Sequence, residues 1–368
     1  MKTIKRVDLA KQWRNEKFNL LPLIIKTLES GEYIGSKTID ILEKNIANYC
    51  GTRFAVCTNS GTDSLTLALF LLGVKKGDEV ITAPNSFIAS AATIAHLGAK
   101  PVFADVKDDQ LIDPKEIEKK ISKKTKAIMV VHLSGRIADM KSIKLISKKF
   151  KIPIIEDAAQ AIGSKYYGKK SGSLSEFGCF SAHPLKNLNA CGDSGFITTN
   201  NAKYYKKLKT LINHGLENRN MSKTFAYVSR MDALQATILN YRLKNLDHKI
   251  KQRRKIASLY FKKLRDLPIK LPYENKGEYN SYHLFVIQLK KRNKLQKYLM
   301  KNNIETGVHY PIPIHLQKAS KYLNNKIGSF PITEKQTKTI LSLPINENLT
   351  ISQINHICKK IKEFFNEK

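Results

Sequence analysis

Between Arg53 and Gly163 one pattern recurs: a short apolar run, a polar or glycine-bearing loop, then a helical stretch. RFAVCTNSGTDSLTLALFLLG gives a strand, a Ser-Gly-Thr turn and a helical run that ends at Gly73. GDEVITAPNSFIASAATIAHLGAKPVFADV continues as strand, loop, helix, strand. KAIMVVHLSGR and IPIIEDAAQAIG read as two further buried strands, each followed by a loop and a helical pattern. Strands that are apolar throughout and alternate with helices predict an α/β fold, a mostly parallel sheet with helices on both faces. Ligands of such sheets bind beyond the carboxyl ends of the strands. NSGTDS, PNSF and EDAAQ all fall there.

The first 50 residues read as amphipathic helices broken at SGEYIGS, Ser30 to Ser36. After Asn220 the pattern changes to a long helical stretch from about Ser229 to Leu264. A strand YNSYHLFVIQL, an αβ unit around KLQKYLMKNNIETGVHY and a closing helix follow. At 368 residues the chain is too long for one small core. The expected division is a large α/β domain over 1–245 and a smaller C-terminal α+β domain over 246–368, with the N-terminal helices free to pack on the latter. No repeat or flexible linker separates them, so tight packing is expected.

The net charge of +33 raises nucleic acid as a partner. The basic residues are instead spread along the whole chain, with no zinc-finger spacing, RNA-binding signature or basic tail, so no nucleic acid is expected. A general anion-attracting surface, suited to an anionic small substrate, is the better reading. No apolar stretch is long enough to span a bilayer, so no membrane is expected either. The opening MKTIKRVDLAKQWRNEKF is charged and unlike a signal peptide. The five cysteines form neither CxxC pairs nor a disulfide framework. Together these predict a cytoplasmic protein with reduced thiols.

Lys186 stands alone between Lys170 and Lys203 in a chain with 64 Lys and Arg residues. Isolation of that kind suits a lysine used as a nucleophile. Ser60, Gly61 and Thr62 form a strand-to-helix turn where free N–H groups favour a phosphate, although such turns are also common caps. Phe87 follows the next strand, where a ring would cover a flat heterocycle or simply join the core. Asp157 and Gln160 follow IPII. A strand-end carboxylate is often a helix cap, and is also what a protonated pyridine nitrogen needs. Ser181, five residues before Lys186, offers a hydroxyl to a phosphate. Phosphate turn, aromatic ring, carboxylate and isolated lysine in that order point jointly to pyridoxal 5′-phosphate.

From end to end the chain resembles the DegT/StrS-type sugar-nucleotide aminotransferases, a fold type I, pyridoxal phosphate-dependent family. The resemblance rests on GEYIG, SGTDSL, PNSFIASA, PVFADV, VVHLSGR, IEDAAQAIGS, FSAHPLKNL, SRMDALQA, HYPIPIHLQ and LSLPI. It implies that Lys186 carries the cofactor, that Asp157 pairs with its ring nitrogen, and that Gln160 bonds its phenolic oxygen. Phe87 would stack on the ring, while Gly61, Thr62 and Ser181 would hold the phosphate. GEYIG with Tyr33 and HYPIPIH with His309 and Tyr310 would border the sugar nucleotide; His183, three residues before Lys186, is read from that spacing as a substrate-site residue beside the cofactor. A homodimer with shared active sites is implied as well.

Two positions depart from the family pattern. Val228 stands where relatives place an Asn that reaches the partner subunit's cofactor phosphate, leaving Ser229, Arg230 or water to complete that cup. Gly192-Asp193-Ser194-Gly195 replaces the usual G-E-G-G. The implied reaction moves an amino group from glutamate to a nucleotide-linked keto-deoxyhexose. The HYPIPIHLQ wording leans to C3 of a dTDP-3-keto-6-deoxyhexose, for surface polysaccharide (lipopolysaccharide) or other glycan biosynthesis. The alternative is C4 amination of a dTDP-, UDP- or GDP-4-keto-6-deoxyhexose. A related dehydratase would carry histidine in place of Lys186. A non-catalytic regulatory protein is a further reading, against which the intact Lys186, Asp157 and Gln160 set counts.

Overall fold

A computed structural model describes residues 3–366. Two helices, α1 (Leu9–Glu29) and α2 (Lys37–Cys50), precede the sheet. The turn between them contains Gly31 and Gly35 at φ +66° and +69°, a conformation that side chains with a Cβ rarely adopt. Then come β1 (Phe54–Thr58), α3 (Gly61–Leu71), β2 (Glu79–Thr82), α4 (Ala89–His96), β3 (Lys100–Phe103), α5 (Pro114–Lys120), β4 (Thr125–Val131), α6 (Met140–Phe150) and β5 (Ile154–Asp157). A small hairpin, β6 (Lys165–Tyr166) and β7 (Lys169–Lys170), leads to β8 (Phe177–Ser181), β9 (Gly195–Thr199) and α7 (Ala202–Leu211).

The seven strands of the main sheet lie in the order β1-β9-β8-β5-β4-β2-β3. All are parallel except β9, which runs against both neighbours. β9 starts at Gly195, paired with both Thr58 and Ser181. The carboxyl ends of β1, β5 and β8 therefore meet the start of β9 at one edge of the sheet.

Behind these come an exposed hairpin, β10 (Leu216–Asn218) and β11 (Met221–Ser222), and the helices α8 (Ala233–Lys244) and α9 (Leu246–Leu264). The final part holds β12 (Glu278–Tyr279), β13 (Phe285–Gln288), α10 (Arg292–Lys301), α11 (Pro331–Thr339), β14 (Ile340–Leu343) and α12 (Ile351–Asn366). β13 and β14 pair antiparallel, and their buried Phe285, Leu341 and Leu343 pack with Leu295, Leu299, Ile354 and Ile357. α9 links two cores: Leu246 and Ile250 join the cluster beneath α2 and α8, whereas Tyr260 and Leu264 join the C-terminal one.

Three expectations change. No helix follows β5, because Gly163, Gly168 and Gly172 all take positive φ (+80°, +79°, +82°) and turn the chain into the β6–β7 hairpin. The helical stretch expected from Ser229 starts at Ala233 and breaks at Asn245, whose φ of −104° and ψ of 4° leave the helix. The strand-like IETGV is not a strand but two isolated bridges, Ile4 to Ile304 and Gly307 to Ser342. Among the described residues no helix is long and apolar enough to cross a membrane.

Candidate active site

A cleft of about 320 Å³ opens over the strand ends. Gly61, Thr62, Phe87, Asp157, Gln160, Ser181, His183, Lys186, His309 and Tyr310 all line it. Each gets there by local structure. Ser60 caps α3, its hydroxyl accepting from Asp63 N at 3.1 Å. The N–H groups of Gly61 and Thr62 thus stand in the first turn, where a helix has no internal acceptors for them. A Cβ on Gly61 would sit 2.6 Å from Ser181 Cβ, so glycine lets the start of α3 close on the end of β8. Gly195 is similarly required, since a Cβ there would meet Ser60 O at 2.4 Å. The altered Gly192–Gly195 turn therefore keeps the glycine that matters, and the buried Ser194 accepts Ala182 N at 2.7 Å through its carbonyl.

Asp157 ends β5 and is buried. Its Oδ2 accepts from Ser90 Oγ at 2.7 Å, and Ser90 is itself 2.7 Å from Oγ of Ser86, in the loop that precedes α4. Burial raises the Asp157 pKa against these hydrogen bonds and the charge of Lys186. Lys186 has the complementary problem: burial lowers its pKa and Asp157 opposes the fall. Gln160 is fixed at both ends, Oε1 accepting from Ser134 N at 2.8 Å and Nε2 donating to Tyr310 Oη at 3.1 Å. Burial and the nearby Asp157 charge push the Tyr310 phenol up to about 12. His309, 2.8 Å from Ser342 Oγ, is pushed down to about 4 by burial, Arg6 and Lys186. Phe87 is 54% exposed on the cleft wall, its ring centre 5.9 Å from that of Tyr310.

Tyr33 is the exception. It lies outside the cleft, 54% exposed, its hydroxyl donating to Leu28 O at 3.1 Å. The α1–α2 turn is held on α8 instead, through Ala233 N to Tyr33 O at 2.7 Å. At the departure noted above, Ser229 is fully buried with its hydroxyl 3.4 Å from Asn59 Oδ1, which takes it out of reach of another subunit. Arg230 Nη1 donates to Asn213 Oδ1 at 2.9 Å, and Val228 is exposed.

Sequence reasoning missed Arg6, Ser86, Ser90, Asp193 and His283, which share the lining. Ser86 and Ser90 flank Phe87 in the PNSFIASA segment, Ser86 in the loop and Ser90 in the first turn of α4, where it reaches Asp157. Arg6 and His283 carry no local signal, since only tertiary packing brings them in. The donor set fits pyridoxal phosphate: an amine, a buried carboxylate, an N–H-rich helix start with a hydroxyl beside it, and an exposed aromatic ring.

A sequence profile of the DegT/DnrJ/EryC1/StrS aminotransferase family matches residues 15–362. Two relatives cover nearly the whole chain. The dTDP-3-amino-3,6-dideoxy-α-D-galactopyranose transaminase of Aneurinibacillus thermoaerophilus is 41% identical, covering 92% of this chain and 93% of its own. The pleiotropic regulatory protein of Geobacillus stearothermophilus is 38% identical over 98% of each chain. The crystal structure of S. venezuelae DesV superposes with a TM-score of 0.98 at 34% identity, over 100% of both chains. The architecture is thus that of the fold type I aminotransferases, and solved neighbours hold pyridoxal phosphate or its amino form. The chain belongs to the DegT/DnrJ/EryC1/StrS aminotransferase family and is a pyridoxal phosphate-dependent sugar-nucleotide aminotransferase.

Proposed function

We propose that the cleft transfers the amino group of L-glutamate to C3 of a dTDP-linked 3-keto-6-deoxyhexose. The chemistry is carried by one observation: a half-buried lysine amine shares a cleft with a buried carboxylate. When bound, pyridoxal phosphate supplies an electron sink that makes the C–H bond beside a substrate nitrogen acidic. Lys186 is the residue assigned to hold the cofactor through its aldehyde. Once released by substrate, its Nζ carries the proton to and from the substrate α-carbon. Its lowered pKa keeps more of the amine neutral, as both nucleophile and base require. Asp157, oriented by Ser90, is assigned to the ring nitrogen, and Gln160 to the phenolic oxygen. Gly61, Thr62 and Ser181 would hold the phosphate and Phe87 the ring face, leaving His183, His309 and Tyr310 on the sugar side.

The name of the A. thermoaerophilus relative, a dTDP-linked 3-amino sugar transaminase, supports C3 and thymidine. Incubation with L-glutamate and either dTDP-linked 3-keto or 4-keto substrate tests this by mass and NMR analysis of the product. A 3-amino product only from the 3-keto substrate is expected; efficient 4-amination would overturn the C3 reading. The regulatory name of the G. stearothermophilus relative suggests a second role, but the intact cleft supports catalysis first.

A homodimer is part of the reading. α1 turns Phe18, Leu21, Ile25 and Leu28 outward, and Met221, Phe225, Tyr227 and Val228 are exposed around the β10–β11 hairpin. Clusters of exposed apolar side chains such as these support an interface with a second copy. It would also bring Tyr33 and the Val228 region to the other subunit's cleft.

A further inference from the structure

We infer that Arg6 anchors the α-carboxylate of the amino-acid donor. This rests on the aminotransferase reading above and adds a residue to it. Arg6 lines the cleft with Lys186, His283 and His309. Its backbone is fixed: Arg6 N donates to Glu305 Oε2 at 3.1 Å, and Asn346 Nδ2 donates to Lys5 O and Arg6 O at 3.2 Å each. Two residues before Arg6 in the strap, Ile4 N bonds Asn303 O at 2.8 Å and Ile4 O accepts Glu305 N at 3.0 Å. The strap therefore presents one side chain to the cleft and holds its root still.

The guanidinium itself has no partner among the described residues, neither a hydrogen-bond acceptor nor a carboxylate within 4.0 Å. Other covered guanidiniums all have partners: Arg136, Arg242, Arg253 and Arg254 meet Glu278, Glu16, Glu347 and Glu274, while Arg292 donates to the Ile340 and Thr337 carbonyls and Arg230 to Asn213 Oδ1. An arginine left half-buried and unmatched in a cleft has five donors in a planar fork available for an oxyanion. Space has been made for it. A Cβ at Gly307 would lie 3.3 Å from Arg6 Nε and 2.9 Å from His309 Cε1, so the guanidinium and the imidazole both rest on backbone. Lys186, His283 and His309, all basic side chains, line the same cleft. The carboxylates in reach of the same cleft, Asp157 and Asp193, sit on the sheet side, and Glu305 is used by the strap backbone.

Both substrates bring an anion, the donor a carboxylate and the sugar nucleotide a diphosphate. The donor's α-carboxylate is bonded directly to the carbon that must meet Lys186 Nζ. The diphosphate of a 3-keto sugar sits on C1, two ring carbons and an oxygen beyond the reacting centre. Arg6, His309 and Lys186 line one cleft, and the guanidinium and the His309 ring both pack over Gly307, which sets Arg6 on the wall that the reacting amine shares. Its fork matches a carboxylate with two parallel hydrogen bonds.

Holoenzyme variants Arg6→Gln and Arg6→Lys, mixed with L-glutamate in a single half-reaction, test this through the cofactor absorbance. Binding of dTDP to the same holoenzymes is measured by calorimetry. Arg6→Gln is expected to raise the half-saturating glutamate concentration by about tenfold or more. The limiting rate should change far less, dTDP affinity should not change, and Arg6→Lys should recover part of the loss. The side chain makes no hydrogen bond or ion pair among the described residues, so the melting temperature should change little. L-Glutamate γ-methyl ester should show the same penalty, because its α-carboxylate is intact. Weaker dTDP binding with normal glutamate saturation would assign the guanidinium to the diphosphate. A penalty that vanishes with the ester would assign it to the γ-carboxylate, and unchanged saturation in every arm would make Arg6 a bystander. Each of these overturns the inference while leaving the aminotransferase reading intact. A wild-type holoenzyme inert to L-glutamate would instead refute the donor assignment, and the inference with it.

Discussion

Lys186 differs from the other cations of the chain in its surroundings. Burial works against its charge, and a single carboxylate, Asp157, works for it. In the cofactor-free protein Lys186 should therefore titrate below the ordinary lysine value of 10.5. Asp157→Asn should lower it further, since the variant removes the charge that favours the protonated amine. Competitive labelling of lysines across a pH series reads both shifts. A Lys186 that titrates with the surface lysines would refute the burial argument. Lys186→Ala should abolish both half-reactions and leave the circular dichroism spectrum and melting unchanged; near-normal turnover would refute the assigned role. At this scale the sequence showed what is local. The isolation of Lys186 and the order of Gly61, Phe87, Asp157 and Ser181 needed no fold. The partner-free state of Arg6 did, because it depends on a strap that docks some 300 residues away in sequence, at Glu305 and Asn346.

Among the elements, the contact between the start of α3 and the end of β8 sets the shape of the anion site. Gly61→Ala places a methyl 2.6 Å from Ser181 Cβ. Overpacking of this kind costs about 1–3 kcal/mol, and here it also moves the N–H groups of Gly61 and Thr62. Lower melting together with weaker pyridoxal phosphate binding is expected; unchanged cofactor affinity would show that the turn does not hold the phosphate. A second contact ties the loop after β4 to β12. Arg136 and Glu278 form a buried two-bond pair, with side chains 5% and 0% exposed. Arg136→Met leaves Glu278 buried and unpaired, at about 3–5 kcal/mol. The double variant Arg136→Met with Glu278→Gln should recover much of this in chemical denaturation, and a double variant as unstable as the single would exclude the charge penalty as the cause. The buried strands β1, β2, β4 and β5 were legible because parallel strands covered on both faces are apolar throughout. β9 was not: it is a short GFITT run whose antiparallel direction is decided by the neighbours it fits between. The turn after β5 was missed because helix-like apolar spacing there is overridden by glycines in left-handed conformations.

For the whole molecule, α1 is the telling element, because its amphipathic character is inverted. Its buried face is largely polar, with Gln12, Glu16 and Thr27, and Glu16 is matched by Arg242 and Lys249. Its outer face carries Phe18, Leu21, Ile25 and Leu28, with Phe18 80% exposed. The spacing of these four, three or four residues apart, makes one stripe along the helix. The sequence reading detected an amphipathic helix but had no means of telling which face meets the protomer's own core. A helix that spends its polar face inward and its apolar face outward is stable in water only if the outer face is covered. At 41.8 kDa per chain, sedimentation should give twice that mass, and Leu21→Asp with Ile25→Asp should return it to that of one chain. The desolvated carboxylates would oppose association, because a charge buried without a partner is costly. Amino transfer should fall with the loss of the dimer if Tyr33 or the Val228 region completes the neighbouring cleft. It should return when the single-chain mass is avoided by the neutral pair Leu21→Met and Ile25→Met, which keeps the stripe apolar. A wild-type protein that sediments as a single chain at micromolar concentration would mean that something other than a second copy covers α1.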